Sequence, residues 1–435
     1  MIPQRTCEGE GGEVGDKSVM VGNHLTPVPS SSDYAVADFP SFEYSNRDVR
    51  RAGDTLRGTL TFEPECREET LRVFQIASSW RSSHAHPINS IMRSVSARIR
   101  IAGLEGITVA RLKRMPSVRK KLRNHAGKLN QIQDLGGVRA ILPSMNDANV
   151  LVSEIKEKLN HKFFDEDDYV ADPKEGGYRS VHLIYKFQGK GEAERFDGRR
   201  IEIQVRSRLQ HAWATAVEAA GLINGQDMKA GEGDERWLRL FDLMSAEFAL
   251  VENAPVSRHV PERAQRNQEI KELNRALNAA DVLDDLRYVS QSLDLVYTKT
   301  NNPTYYLLEY DHVSKQVRAV PKYGPSDALS DYRRRELENV ETHNENRKTV
   351  LVEADNVESL KQAYPNYFTD VAYFTQTLRR ILSGSPVEEY TVPPVHRAQV
   401  RREPIGDLQW TKGGYRRVTE EELVKRGWNK RKRKK

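Results

Sequence analysis

Only two of the 435 residues are cysteine, Cys7 and Cys66. That excludes a disulfide framework or a thiolate zinc site as the basis of the fold, and the expected compartment is the reducing cytoplasm. No apolar run approaches the roughly 18 residues that a membrane span needs, so no membrane partner is expected. The first thirty residues are rich in Gly, Glu, Ser and Pro and contain no apolar stretch of the secretory type. There is no GxxxxGK[ST] loop and no protein-kinase signature set, which excludes those two ways of holding a nucleotide. Charge, by contrast, is plentiful. Asp, Glu, Lys and Arg make up 30% of the chain against 38% hydrophobic residues, the balance of a soluble globular protein.

The net charge of +6 is a property of the C-terminus rather than of the body. Residues 397–435 hold 14 Lys and Arg against 5 Asp and Glu, a local +9 that leaves the remainder at −3. Such a tail reads first as a solvated terminus, with a polyanion as its alternative partner.

At this length two or three cores are expected. Residues 1–38 read as a disordered lead-in and 39–110 as a helical segment, with apolar residues at helix spacing from Val49 to Ile99. Within it, His84 and His86 have no cysteine or acid beside them and are read as a packed, hydrogen-bonded loop rather than a metal pair. Strands alternating with helices over 111–221 indicate an α/β core, with a mixed sheet because the link between runs 180–187 and 200–205 is short enough for a hairpin. Residues 222–301 read as a helical extension containing one helix from 265 to about 297. Residues 302–382 read as a second, smaller ββαβα module with a regulatory or interaction role, and 383–435 as a loose basic tail. The expected fold class is thus α/β (α+β): a mixed β-sheet core flanked by helices, plus a small C-terminal module.

The chemistry concentrates in the core. Runs 180–187 and 200–205 alternate polar with apolar side chains, so Ser180 can share a face with His182, and Glu202 with Gln204. Before them, Lys174-Glu175-Gly176-Gly177-Tyr178 joins a phosphate-competent lysine and an aromatic ring to two glycines that admit close approach of the backbone. Between Arg111 and Lys121 stand six cations without an acid. They repel one another unless they face solvent or a polyanion. Asp134 follows, ahead of Gly136-Gly137 and an apolar run. Separated carboxylates, clustered cations and a glycine loop are what phosphoryl-type transfer requires.

These residues also carry a resemblance. Arg111-x-Lys113-x-x-x-Ser117-x-x-x-Lys121, then Asp134-Leu-Gly-Gly-Val-Arg139, Asp168-Tyr169, Pro173-Lys174, Gly177-Tyr178-Arg179-Ser180-x-His182 and Glu202-Ile-Gln204-Val-Arg206 occur in this order. The set resembles the synthetase domain of the RelA/SpoT alarmone synthetases, a nucleotidyltransferase-like core. The resemblance implies a pyrophosphokinase that moves pyrophosphate from ATP to the ribose 3′-hydroxyl of GDP or GTP, releasing AMP and making (p)ppGpp. It implies that Arg111 and Arg139 stack on adenine while Lys113, Ser117 and Lys121 meet the ATP phosphates. Asp134 and Glu202 become catalytic and ligands to Mg²⁺, with Glu202 also activating the hydroxyl. Lys174 would meet acceptor phosphates, Tyr178 would stack on the acceptor base, and His182, Gln204 and Arg206 would line the acceptor site. No His-Asp dipeptide occurs, so the hydrolase half of the long family members is not expected.

Two alternatives stay open at this level. Tyr178 stacks equally on guanine or adenine, so the acceptor could be an adenine nucleotide or the 3′ end of tRNA, as in toxic relatives of the small synthetases. A non-catalytic nucleotide or RNA binder is the other, against which the retention of both Asp134 and Glu202 argues. A homo-oligomer is compatible with the sequence.

Overall fold

The computed structural model of the chain describes residues 35–224, 226–289, 305–311, 316–322, 324–342, 344, 347–354, 371–385, 408–411 and 414–417. Its centre is an eight-stranded mixed sheet. The strands are β1 (Ile107–Leu112), β2 (Gly136–Leu142), β3 (Lys162–Asp168), β4 (Val181–Lys186), β5 (Arg200–Ser207), β6 (Tyr305–Asp311), β7 (Gln316–Lys322) and β8 (Arg347–Ala354). Their spatial order is β3-β4-β5-β2-β1-β8-β6-β7. All pairs are antiparallel except β2 with β5. The expected hairpin between 180–187 and 200–205 is the β4–β5 pair.

The period-two alternation divides the sheet into two faces with different tasks. Ala110, Val138, Ala140, Leu142, Leu183, Ile203 and Val205 point to a core closed by the helices α3 (Ala85–Ile101) and α5 (Met145–Lys158). Ser144 starts α5, its hydroxyl accepting from Asp147 N–H at 3.1 Å. The residues between them in sequence point to the opposite face, where the site lies.

Two further clusters flank this core. Helices α1 (Asn46–Arg57), α2 (Pro64–Ser82) and α4 (Met115–Asn124) bury Val49, Leu56, Phe74, Val118 and Leu122 against Leu135. A helical group comprises α6 (Arg208–Asn224), α7 (Glu235–Val251), α8 (Arg263–Leu277), α9 (Ala279–Val289) and α11 (Ala372–Leu382). It is packed around Trp213, Phe241, Phe248, Leu283, Phe374 and Leu378. Helix α10 (Pro325–Glu341) adds Ala328, Leu329 and Tyr332 to the sheet core.

Several expectations need correction. The stretch 302–382 does not form a sheet of its own: β8 pairs with β1, Arg111 opposite Val352, and with β6 on its other side. An antiparallel ββαβ order leaves an edge strand with unpaired N–H and C=O groups, and here that edge is satisfied by the core's own edge. The last helix of that stretch, α11, packs with the helical extension, where Thr375 Oγ1 donates to Asp284 at 2.7 Å. The boundary placed between 110 and 111 cuts through β1. The helix expected from 265 to 297 is interrupted at Asn278, whose φ of 48° ends α8 before α9 begins. The helix expected at 357–363 and the lead-in up to residue 34 lie outside the described residues. Of the basic tail, Leu408–Thr411 and Gly414–Arg417 form a two-stranded antiparallel pair.

His84 and His86 are buried, but the expected hydrogen-bonded loop is only the turn at Ser83 and His84, because His86 lies in the first turn of α3. His84 Nδ1 lies 2.9 Å from the Trp80 carbonyl oxygen, and the His86 ring stacks on Phe196 at 5.0 Å. Burial pushes both imidazoles down, His84 to about 3 and His86 to about 4, so both are neutral near pH 7.

Because Leu351 of β8 is buried in the same core as Val138 and Ile203, Leu351→Ala should lower stability by about 2–5 kcal/mol. A urea titration followed by circular dichroism should show one shifted transition. A second, separate transition at lower urea would instead mark 305–354 as an independent unit.

Candidate active site

The register of the sheet brings the polar residues into two rows. Asp167, His182, Gln204, Arg139 and Val109 are successive partners across β3, β4, β5, β2 and β1. Asp165, Ile184, Glu202, Gly137 and Arg111 form the adjacent row. Gly137 leaves open space between Arg111 and Glu202, since a Cβ built there would meet only a backbone oxygen at 3.9 Å. Over these rows lies a cleft of about 450 Å³.

Of the residues singled out in the sequence, Arg111, Lys113, Lys121, Asp134, Arg139, Lys174, Tyr178, His182, Glu202 and Gln204 line this cleft. Two do not. Ser117 sits half-buried in the first turn of α4, and Arg206 is buried beneath the lining with 1% of its surface exposed. The structure adds Asp167, Tyr169, His125 and Lys229. Tyr169 stood in the sequence motif without a role. Lys229 comes from a short turn after α6 and had no local signal.

Glu202 is the centre of a closed ring of side chains. His182 Nδ1 lies 2.9 Å from one carboxylate oxygen, and Gln204 Nε2 donates to the other at 2.6 Å. The Tyr178 hydroxyl is 2.8 Å from His182 Nε2. Arg206 Nη2 donates to both the Tyr178 hydroxyl and Gln204 Oε1. The ring thus runs from Arg206 through Tyr178 and His182 on one side, and through Gln204 on the other, to the two oxygens of Glu202. Burial alone would raise the Glu202 carboxyl. The bonds from His182 and Gln204 and the nearby charge of Lys113 reverse that and hold it far below the usual carboxylate range.

Asp134 is handled differently. Lys113 Nζ meets one of its oxygens at 2.9 Å and Lys121 Nζ the other at 3.0 Å. Burial and the neighbouring Glu202 push this carboxyl up, but the two ammonium groups prevail and it too lies below its ordinary value. Among the described residues no group of three or more His, Cys, Asp and Glu stands ready to hold a metal. Asp134 and Glu202 nonetheless suit Mg²⁺, a hard cation usually held by one or two carboxylates together with substrate phosphates.

The remaining wall is cationic and aromatic. Lys174 Nζ lies over the Tyr169 ring at 4.0 Å and the Tyr178 ring at 5.7 Å, and burial lowers its pKa. Lys229 bonds Glu218 at 2.8 Å. The low dielectric of the cleft and the neighbouring Arg206, Arg111 and Arg139 lower its ammonium, with Glu218 opposing, while the side chain keeps 37% of its surface exposed.

The glycine loop is clamped from behind. Gly176 and Gly177 have φ of 86° and 88°. Ser245 Oγ donates to the Gly177 carbonyl, while Arg179 donates to Ser245 at 3.1 Å, to the Val170 carbonyl at 3.0 Å and to the Pro255 carbonyl at 2.7 Å. The helical extension thus fixes the loop that carries Lys174 and Tyr178.

Residues 110–223 match a family model described as a region found in RelA/SpoT proteins. The chain is 24% identical over 187 residues to a GTP pyrophosphokinase of Escherichia coli strain K12, covering 42% of this chain and 24% of the relative. It is 32% identical over 111 residues to the GTP pyrophosphokinase YjbM of Bacillus subtilis strain 168, covering 24% of this chain and 51% of that one. The matched part therefore spans about a quarter of the first relative and about half of the second. Among solved structures, the small alarmone synthetase 1 of Bacillus subtilis bound to its product pppGpp aligns with 39% of this chain and 90% of its own, at 18% identity and a TM-score of 0.34.

Two outcomes follow from this geometry. An added Cβ at Gly177 would lie 2.6 Å from Ser245 Cβ, whereas at Gly176 it meets nothing within 4 Å. Both alanine variants carry left-handed strain of about 1–3 kcal/mol, so Gly177→Ala should be the less stable in urea; equal losses would contradict the clamp. The second concerns pH. Glu202 titrates lower folded than unfolded, so its contribution is present above the unfolded value of about 4.3 and is lost as pH falls below it. Glu202→Gln should flatten the fall of Tm below about pH 4.3, and an unchanged slope would show that the ring does not hold the charge.

Proposed function

We propose that the chain, whose residues 110–223 match the model of a region found in RelA/SpoT proteins, is a pyrophosphokinase. It transfers the β,γ-pyrophosphate of ATP to the ribose 3′-hydroxyl of GDP or GTP and releases AMP. The observation that carries this reading is the single cleft that gathers the arginine pair and the ring-held Glu202 from one sheet face and the lysine-held Asp134 from the loop before β2.

In this reading Arg111 and Arg139, one from each of two paired strands, offer their guanidinium planes to adenine. Lys113 and Lys121 turn from Asp134 to the triphosphate oxygens, as point charges suited to phosphate. Mg²⁺ held by Asp134 and Glu202 would neutralise charge on the transferred phosphates. On the acceptor side, Lys174 meets the 5′ phosphates and Tyr178, its hydroxyl anchored, stacks on the base.

Glu202 then stands at the hydroxyl. The 3′-oxygen attacks the β-phosphorus, the bond from that phosphorus to the oxygen bridging to the α-phosphate breaks, and AMP leaves with that oxygen. The hydroxyl proton passes to the Glu202 carboxylate as the new bond forms. A carboxylate held so far below its ordinary range is a weak base, so its main service is to aim the hydroxyl, and His182 and Gln204 fix that aim. Positioning and neutralised charge supply most of the acceleration, as for phosphoryl transfer in general.

The test is incubation of the purified chain with Mg²⁺ and γ-labelled ATP, offering GDP, GTP, ATP and deacylated tRNA separately. Label on a guanine nucleotide with equimolar AMP is the expected result, and Glu202→Gln should reduce it by at least 10²-fold while the protein stays folded. Label on tRNA or on adenine nucleotide alone would move the acceptor, and an active Glu202→Gln would remove Glu202 from the reaction.

A further inference from the structure

The backbone between β1 and α4 links the strand that carries Arg111 to the helix that carries Lys121, and residues remote in sequence hold it. Arg81 of α2 donates from Nη1 to the Lys113 carbonyl at 3.2 Å. The Met115 N–H donates to Glu336 Oε1 of α10 at 2.9 Å. Arg81 and Glu336 are paired with each other, Nη1 to Oε2 at 2.6 Å, with side chains 1% and 4% exposed. The Arg81 guanidinium lies over the Tyr332 ring at 4.5 Å.

This arrangement supplies what α4 lacks locally. The first N–H groups of a helix have no partner within it, Arg114 at the N-cap makes no side-chain cap, and Pro116 follows. Glu336 caps the helix from a distance, with its charge at the positive end of the helix dipole. Stability alone is a weak reason for such a pair, because apolar residues of similar volume often serve as well or better. They would leave the Lys113 carbonyl and the Met115 N–H without these partners, however, and those groups set where Lys113 and Lys121 stand.

We propose that Glu336 is a positioning residue of the donor site: together with Arg81 it fixes segment 113–115 so that Lys113 and Lys121 meet the triphosphate of ATP. The proposal rests on the pyrophosphokinase reading. It also gives β6, β7, β8 and α10 a part in donor binding, through the pairing of β8 with β1 and through this buried knot.

The test compares Glu336→Gln with Glu309→Gln in the full chain. Glu309 pairs with Arg335 at 2.6 Å within the same β6–α10 layer, so its loss weakens that layer while segment 113–115 keeps its own partners. Binding of α,β-methylene-ATP with Mg²⁺ and of GDP is measured by calorimetry, and Tm is measured alongside. Glu336→Gln should weaken the ATP analogue about tenfold, which corresponds to about 1.4 kcal/mol, and leave GDP binding unchanged. Glu309→Gln should lower Tm and leave both affinities unchanged. If Glu336→Gln does not fold, the double variant Arg81→Met with Glu336→Met, which strands no buried charge, should show the same selective loss. Unaltered analogue binding, or an equal loss for both ligands, would overturn the proposal while the functional reading stands. A wild-type chain that binds no ATP analogue would overturn both.

Discussion

The parallel pairing of β2 with β5 is the constraint on which the site depends. It sets Glu202 beside Gly137 and Gln204 beside Arg139, and the antiparallel strands on either side extend those two positions into rows. A slip of one residue would turn Glu202 into the core and Ile203 into the cleft. The burial of Ile201, Ile203 and Val205 therefore holds the register of the polar face. The core is specific because the cleft must be polar, and the cleft is stable because the opposite face is apolar.

Charge is arranged with the same economy. Each carboxylate at the centre has both oxygens engaged, Glu202 by His182 and Gln204 of a ring that begins at Arg206, and Asp134 by two lysines. This difference fits two different tasks. Glu202 is fixed in direction by groups that cannot leave, whereas Asp134 is balanced by ammonium groups on long flexible stems that can turn to a polyphosphate. Elements outside the matched region hold the loops: α7 and the 255 turn behind the glycine loop, α10 behind the start of α4.

Much of the site was readable because its residues announce themselves over short distances. His182, Glu202 and Gln204 stand at strand spacing among apolar residues, and the Gly176-Gly177 pair adopts the positive φ that its residue type permits. The strand β1 was hidden because Arg111, Lys113 and Arg114 crowd its end, and β3 because KFFDEDD is an exposed, acidic edge strand that lacks an apolar face. Long-range pairing was not readable at all. Nothing in Val350, Leu351 and Val352 says that their neighbour is β1, because a strand's ladder groups carry no label for their partner. For the same reason Lys229 and Glu336 had no signal: their positions depend on how whole elements dock. The last helix, with Phe374 and Leu378, joined a different cluster from the strands that precede it because its apolar face fits Phe241 and Phe248.

The central claim is that one sheet face binds donor and acceptor together with the reacting hydroxyl at Glu202. A crystal structure of the chain with α,β-methylene-ATP, Mg²⁺ and GDP tests it most directly. The account predicts adenine between Arg111 and Arg139, phosphates on Lys113 and Lys121, and the 3′-oxygen within hydrogen-bond distance of Glu202. Either nucleotide bound elsewhere, with the His182–Glu202–Gln204 ring facing only solvent, would contradict it.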